Sequence, residues 1–305
     1  MAEASSVLPV QIVSNAYGKS RVRLVRVFKK ADRHEMIDMT FEIQLQGDFD
    51  EAYLSSSNRT VLPTDTMKNT VYAIAKTYVD DQPELLGMRL ARHFVSTVAP
   101  VKAANISVVQ HSWHRLIVKG EPHAHAFSRE GSGSKRTAQI RLCKQSGWTV
   151  HGGIEDLLLL KTTMSGFEDY IRDPYTTLKE TKDRILGTNM KAVWKYQNPE
   201  AIEYASVFPA IRDALIEAFA GPAHSGVYSP SVQFTLYQMA SRVLQRVPQV
   251  AEVSLRMPNL HCNLVSLAPF GMDNPNEVFV PIDEPHGTIQ ATLTRTKGTA
   301  LASRL

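Results

Sequence analysis

A pattern that occurs twice constrains this chain most: apolar residues alternate, then recur at helical spacing, then alternate again. In residues 36–46, Ile37, Met39, Phe41, Ile43 and Leu45 fall on one side, and Asp38, Thr40, Glu42, Gln44 and Gln46 on the other. That is the period of a half-buried antiparallel strand. Residues 21–28 precede it as a hairpin partner, with Ala31-Asp32-Arg33 in the turn. The alternation of that first strand slips at Leu24-Val25, which predicts a bulge there. The period then changes: Met67, Val71, Ile74, Ala75 and Tyr78 share one helical face, and Leu85, Leu86, Leu90, Phe94, Val95 and Val98 share another. Residues 106–110 and 115–119 return to extended spacing.

The second half repeats the order. Residues 136–144 alternate, and residues 157–163 and 191–196 read as extended. A helix with the stripe Ile211, Leu215, Ala218 and Phe219 stops at Gly221-Pro222. The next carries Val232, Leu236, Met239, Val243 and Leu244 and stops before Pro248. Strands close the unit at Val253, Leu255 and Met257, then at Ile289, Ala291 and Leu293. The reading is α+β: two tandem units, residues 9–133 and 134–296, each an antiparallel sheet with two helices on one face, and a loose tail over 297–305. The small-residue stretch Glu130-Gly131-Ser132-Gly133-Ser134 suits the joint. Sheets of this kind end in strands whose backbone groups lack partners, so a homo-oligomer is expected.

Composition narrows the function classes. Hydrophobic residues make up 43% and charged residues 21%, so the chain can build a core without staples. The net charge of +4 is too mild to point to nucleic acid. No apolar run approaches a membrane span, and the first residues lack the pattern of a signal peptide. Cys143 and Cys262 read as reduced thiols.

Several positions could carry chemistry. Pro63-Thr64-Asp65 opens the first helix, and Ser229-Pro230-Ser231-Val232-Gln233 opens the last, with Pro230 suited to its first turn. Helix starts seat anions through open N–H groups, although capping by Thr64 or Asp65 is the plainer use. Gln233 adds an amide that donates and accepts. Lys19 would stand at a sheet end, where a lysine is usually solvated. Arg184 could clamp a planar anion or sit in a charged surface segment. Asn259 and His261 share a face and can handle protons. His111, His123 and His125 could seed a zinc site, but no acidic or cysteine ligand stands at a recognisable spacing. Common nucleotide-binding glycine motifs are absent from the sequence.

Taken together, the motifs resemble those of urate oxidases (uricases). They are Tyr17-Gly18-Lys19, residues 63–70, Lys161-Thr162-Thr163 with Gly166-Phe167-Glu168, residues 176–180 with Asp183-Arg184, Ser229-Pro230-Ser231-Val232-Gln233 and Pro258-Asn259-Leu260-His261. His123-Ala124-His125-Ala126-Phe127 also matches, and the resemblance runs from residue 17 to residue 294. It implies two tandem tunnelling-fold (T-fold) units and a homotetramer with active sites between subunits. It implies oxidation of urate by O₂ and water to 5-hydroxyisourate and hydrogen peroxide, with no cofactor and no metal. By motif, Arg184 and Gln233 would grip the urate edge, Phe167 would stack on the ring, and the Val232 main chain would donate to a urate oxygen. Thr64 and Asp65 would bind the opposite edge from the neighbouring subunit. Lys19, Thr64 and His261 would form a proton relay, and Asn259 with Thr64 would hold O₂ or water. The alternative on the same fold is a zinc-dependent, pterin-handling enzyme. Cys262 stands where the family more often has an aromatic residue. The last residues, Ser303-Arg304-Leu305, differ from the peroxisomal Ser-Lys-Leu only by Arg for Lys, which implies a peroxisome in a eukaryotic source and cytoplasm in a bacterial one.

Overall fold

The computed structural model describes residues 10–78, 81–129 and 133–295. Ser303-Arg304-Leu305 and residues 130–132 of the expected joint lie outside them. Strand β1 (Tyr17–Lys29) pairs antiparallel with β2 (His34–Gly47). The alternation of β2 is the one read from sequence, with Met39, Phe41, Ile43 and Leu45 fully buried. The bulge is not at Leu24-Val25, which pair in step with Met39 and Asp38. It falls between Lys19 and Val22, where Arg21 adopts φ 59°. The extra residue lets Tyr17 and Lys19 on one side of it, and Val22 and Leu24 on the other, all lie opposite core-facing residues of β2.

A short α1 (Asp50–Leu54) leads to α2 (Thr64–Thr77) and α3 (Pro83–Thr97), which bury Met67, Val71 and Ala75, then Leu86, Leu90 and Phe94. Tyr78 stands one residue past α2 and is largely exposed. Strand β3 (Val101–Gln110) takes the free side of β2. Residues 115–119 do not close the hairpin with β3. Strand β4 (His114–Val118) instead pairs with β5 (Glu121–Ser128) in a separate two-stranded arm. The partner of β3 is β6 (Lys135–Cys143), which alternation alone assigned to the second half.

Strands β7 (Gly147–Lys161) and β8 (Leu186–Tyr196) follow, then α4 (Tyr204–Ala220), α5 (Val232–Arg246), β9 (Val250–Leu264) and β10 (Phe279–Thr294). All but the arm form one antiparallel sheet in the order β1-β2-β3-β6-β7-β8-β9-β10. The order gives two successive sets of strand, strand, helix, helix, strand, strand, which meet in the turn between Cys143 and Gly147. Helices α4 and α5 bury Ile211, Leu215 and Phe219, and Leu236, Met239 and Val243, in the same continuous core. Each such side chain contributes roughly 1.5–3 kcal/mol by leaving water.

A buried ion pair within the first set is tied to the second by a tyrosine of β8. Glu84 of α3 is fully buried and receives Arg136 Nη2 at 2.6 Å and Tyr196 Oη at 3.2 Å. Burial pushes its carboxyl up, against the pull of Arg136. Among the described residues no helix is long and apolar enough to cross a membrane.

Candidate active site

The expected site residues gather in two places. The first is built on β1 and α2. Lys19 pairs with Ile43, and Gly18 beside it is required because a Cβ there would stand 1.7 Å from the Ile43 carbonyl oxygen. Leu62 N–H donates to Tyr17 Oη at 2.8 Å, which fixes the approach to α2. Neither Thr64 nor Asp65 caps that helix: the cap position is Pro63, which offers no side-chain bond. The first helical bond runs from Met67 N–H to the Pro63 carbonyl at 3.3 Å. The N–H groups of Thr64 and Asp65 therefore face outward at the positive end of the helix.

The Asp65 carboxylate is engaged within its own helix. Lys68 Nζ donates to it at 2.5 Å and Asn69 Nδ2 at 2.9 Å. Lys68 holds it below the usual carboxylate range, with a smaller contribution from Lys19, so Lys19 and Asp65 share one field. What Asp65 can offer a ligand is its main chain.

The second place is built on a loop, a helix start and a strand end. The loop after β7 folds back on itself: Phe167 N–H donates to Thr181 O at 2.8 Å, Thr181 N–H returns to Phe167 O at 3.1 Å, and Arg184 N–H donates to Ser165 O at 2.9 Å. These clips bring the Arg184 guanidinium carbon to 5.4 Å from the Phe167 ring centroid. Tyr170 stacks on Phe167 at 4.9 Å and 10°, so one face of that ring is covered. Gly166 is packed so closely that a Cβ would meet Tyr228 Oη at 2.1 Å.

Among the described residues Arg184 has no acidic partner. Its Nε is buried with no acceptor, and desolvation holds the guanidinium below the ordinary arginine range. Helix α5 starts at Val232, with Ser231 as cap: Phe234 N–H donates to Ser231 Oγ at 3.1 Å. Pro230 therefore precedes the cap and is not in the first turn. Val232 is buried and Gln233 is exposed at this start.

Asn259 and His261 remain within β9, on the face that carries Val253, Leu255 and Met257. Helix α5 returns antiparallel to β9 through the turn after Val247. Its 15 residues span about 22 Å, which β9 covers in about seven residues. Counted from Val250, that reaches about Met257, so the start of α5 lies toward the Asn259 and His261 end of β9. Desolvation, then Arg184 and His286, hold His261 below the ordinary imidazole range, so it is neutral near pH 7 and able to accept a proton. Cys262 pairs with Pro281 and points to the opposite face from His261.

Within one chain the two places do not meet. Six strand spacings separate β1 from β9, about 29 Å along the sheet at ~4.8 Å each. The histidines behind the zinc alternative do not form a ligand set. His111 Nε2 lies 2.9 Å from Thr40 Oγ1, while His123 and His125 contact each other edge to face at 4.7 Å. Among the described residues no three His, Cys, Asp or Glu side chains are grouped to hold a metal. Sequence reasoning gave no role to Lys161, Ser229 and Thr235, which lie under the second place, or to Tyr170.

The chain is an α+β protein with one long antiparallel sheet and paired helices, and its second place sets a guanidinium, an aromatic ring and a helix start on neighbouring segments. The sequence model of the Uricase family matches residues 15–141 and 150–290, the gap falling at the β6–β7 turn. The chain is 42% identical over 295 residues to uricase-2 isozyme 2 of Glycine max, covering 92% of this chain and 94% of that protein. It is 40% identical to the uricase of Arthrobacter globiformis, covering 96% and 93%. The crystal structure of the Arthrobacter globiformis uricase superposes with a TM-score of 0.87, covering 96% of this chain and 98% of that one. The chain belongs to the uricase family.

Proposed function

We propose that this protein is a urate oxidase that combines urate, O₂ and water to give 5-hydroxyisourate and hydrogen peroxide. One observation carries the reading: Arg184, with no acidic partner among the described residues and a buried Nε that has no acceptor, stands beside the Phe167 ring on a loop bonded to Ser229, two residues before the cap of α5. A planar anion satisfies all three at once. The guanidinium pairs with its edge, the open face of Phe167 covers its ring, and the helix-start amides take its oxygen. Gln233 grips the same edge as Arg184.

The opposite edge needs donors that one chain places elsewhere. In our reading, Thr64 and Asp65 of a neighbouring copy supply them through their outward N–H groups, and the copies form a homotetramer. Lys19 and Thr64 of that neighbour then face His261, and together they draw off the urate protons. Asn259 with Thr64 holds O₂ or water above the ring. Loss of protons makes urate electron-rich enough to reduce O₂, and the protein contributes positioning and proton removal.

The test is urate bleaching in the ultraviolet, with oxygen uptake and peroxide release, by metal-stripped protein. Absence of bleaching that zinc or copper restores would refute the cofactor-free reading. Mixing separately inactive Lys19→Met and Arg184→Met chains should recover activity, up to about one quarter of the unmodified level for random mixing. No recovery from well-mixed chains would refute the shared site.

A further inference from the structure

Lys161 ends β7, and among the described residues its ammonium bonds only neutral oxygens. Its ammonium donates to Val227 O at 2.7 Å, Ser229 Oγ at 2.7 Å and Phe219 O at 3.5 Å. It also lies 5.6 Å from the Phe219 ring centroid. Burial holds it below the ordinary lysine range. These contacts fix the residue 227–229 segment against the end of α4. The same segment binds the arginine loop: Gly166 N–H donates to Ser229 O at 3.0 Å and Ser229 N–H to Met164 O at 2.8 Å.

A chain of hydroxyls continues from the ammonium. Ser229 Oγ lies 2.7 Å from Thr235 Oγ1, which lies 3.0 Å from the Ser231 carbonyl oxygen. Proton count sets its direction, because an ammonium only donates and a carbonyl only accepts. Lys161 donates to Ser229. The single Thr235 hydroxyl proton has both Ser229 Oγ and the Ser231 carbonyl oxygen in reach; with Ser229 already receiving the ammonium it goes to the carbonyl, and the Ser229 hydroxyl turns to donate to Thr235. Thr235 N–H donates to that same oxygen at 3.2 Å. The Ser231 carbonyl and the Val232 N–H are two ends of one peptide group, and hydrogen bonds in series polarise one another.

We propose that Lys161 is a positioning residue which, through Ser229 and Thr235, polarises the Ser231–Val232 peptide so that its N–H grips one oxygen of the urate anion. This rests on the urate reading above. The cation thereby reaches the ligand without touching it, and the buried hydroxyls of Ser229 and Thr235 have a role beyond filling the core.

The experiment compares Lys161→Met, Thr235→Val and Thr235→Ser with the unmodified protein. It measures urate turnover and inhibition constants for purine analogues that each lack one exocyclic oxygen of urate. Thr235→Val is close in shape and cuts only the hydroxyl chain; Thr235→Ser keeps the hydroxyl and restores it. Lys161→Met and Thr235→Val are expected to weaken urate and most analogues about tenfold. The analogue lacking the oxygen opposite Val232 is expected to show no such penalty. Equal weakening of every analogue, or no weakening, overturns the relay. The unmodified protein in the same assay separates the two ideas: its failure to consume urate counts against the function, whereas normal turnover with uniform penalties counts against the relay alone.

Discussion

Replacing Arg184 with Met should abolish activity and raise stability together. An ordinary ion pair behaves differently, because removing its cation leaves a carboxylate stranded. Among the described residues Arg184 has no such partner, its Nε is buried without an acceptor, and desolvation disfavours its charge. A buried polar group left without a partner costs about 1–3 kcal/mol, and methionine removes that cost while retaining much of the aliphatic stem. The ligand-free protein should therefore melt a few degrees higher, at roughly 2–4 °C per kcal/mol for large domains. If Arg184 holds the anion as proposed, the same change deletes two charge-assisted bonds, each worth about 1.5–3 kcal/mol, and lowers kcat/KM by roughly a hundredfold or more. The assays are thermal unfolding without ligand and initial rates of urate loss. A variant that melts several degrees lower, or that keeps more than a tenth of kcat/KM, would refute the view of Arg184 as a cation held ready for an absent anion.

Three further outcomes follow from the same geometry. Gly166→Ala should lose most activity while staying folded, because its Cβ would press on Tyr228 Oη and Thr181 O and shift the loop that carries Phe167; comparing rates with circular dichroism checks it. His261 is held below the imidazole value of 6.5, so its protonation is linked to unfolding: stability contributed by the neutral ring is present above that value and falls as pH drops through it, and the acid limb of kcat/KM lies below pH 6.5. Main-chain and hydroxyl donors from residues 145 and 146 push the Cys143 thiol down to about 7, so alkylation at Cys143 should reach half its maximal rate near that pH, as mass spectrometry after timed iodoacetamide treatment would show.

Much of the fold was legible because burial enforces period. The stripes of α2, α3 and α5 and the alternation of β2 each place a full row of apolar side chains under the sheet or helices. Signals failed where burial is not one-sided. The first part of β7 carries Gly152 and Gly153, packed against Trp194, Tyr196 and Thr137, and so shows no alternation. Strand β6 was given to the wrong set because pairing across the sheet, which sequence spacing does not encode, decides its neighbour. The bulge was misplaced because Ser20 and Arg21 are polar and exposed, whereas Leu24-Val25 merely has an apolar residue on the outer face. The site residues were legible as motifs and not as a geometry: Thr64 and Asp65 read as caps, but the cap position is Pro63, which leaves their N–H groups open. Lys161 was legible only as part of a motif and not as a buried group, since a lysine at a strand end is ordinarily solvated and only its neutral partners reveal otherwise.

The edges of the sheet show why a site built from two copies fits this chain. Strands β1 and β10 end the sheet, and each leaves a row of backbone groups available for pairing. Both are interrupted at the level of the proposed chemistry. In β1 the break follows Lys19; in β10 the ladder slips between Ile282, opposite His261, and Gly287, opposite Asn259. An unbroken pair of edges brought together would zip closed. Bulges end the ladder locally and re-aim side chains. Lys19 lies on the core-facing side of β1, and Asn259 and His261 lie on the core-facing side of β9. Edge-to-edge association would thus set the lysine and the imidazole on the same side of a composite sheet, beside a gap in its backbone pairing. The open start of α2 and the start of α5 stand on that side too, each at the end of a helix packed on an edge region. A flat anion entering the gap would meet positive helix ends from both copies, a guanidinium from one and an ammonium from the other, and its charge would compensate the guanidinium that has no acidic partner among the described residues of its own copy.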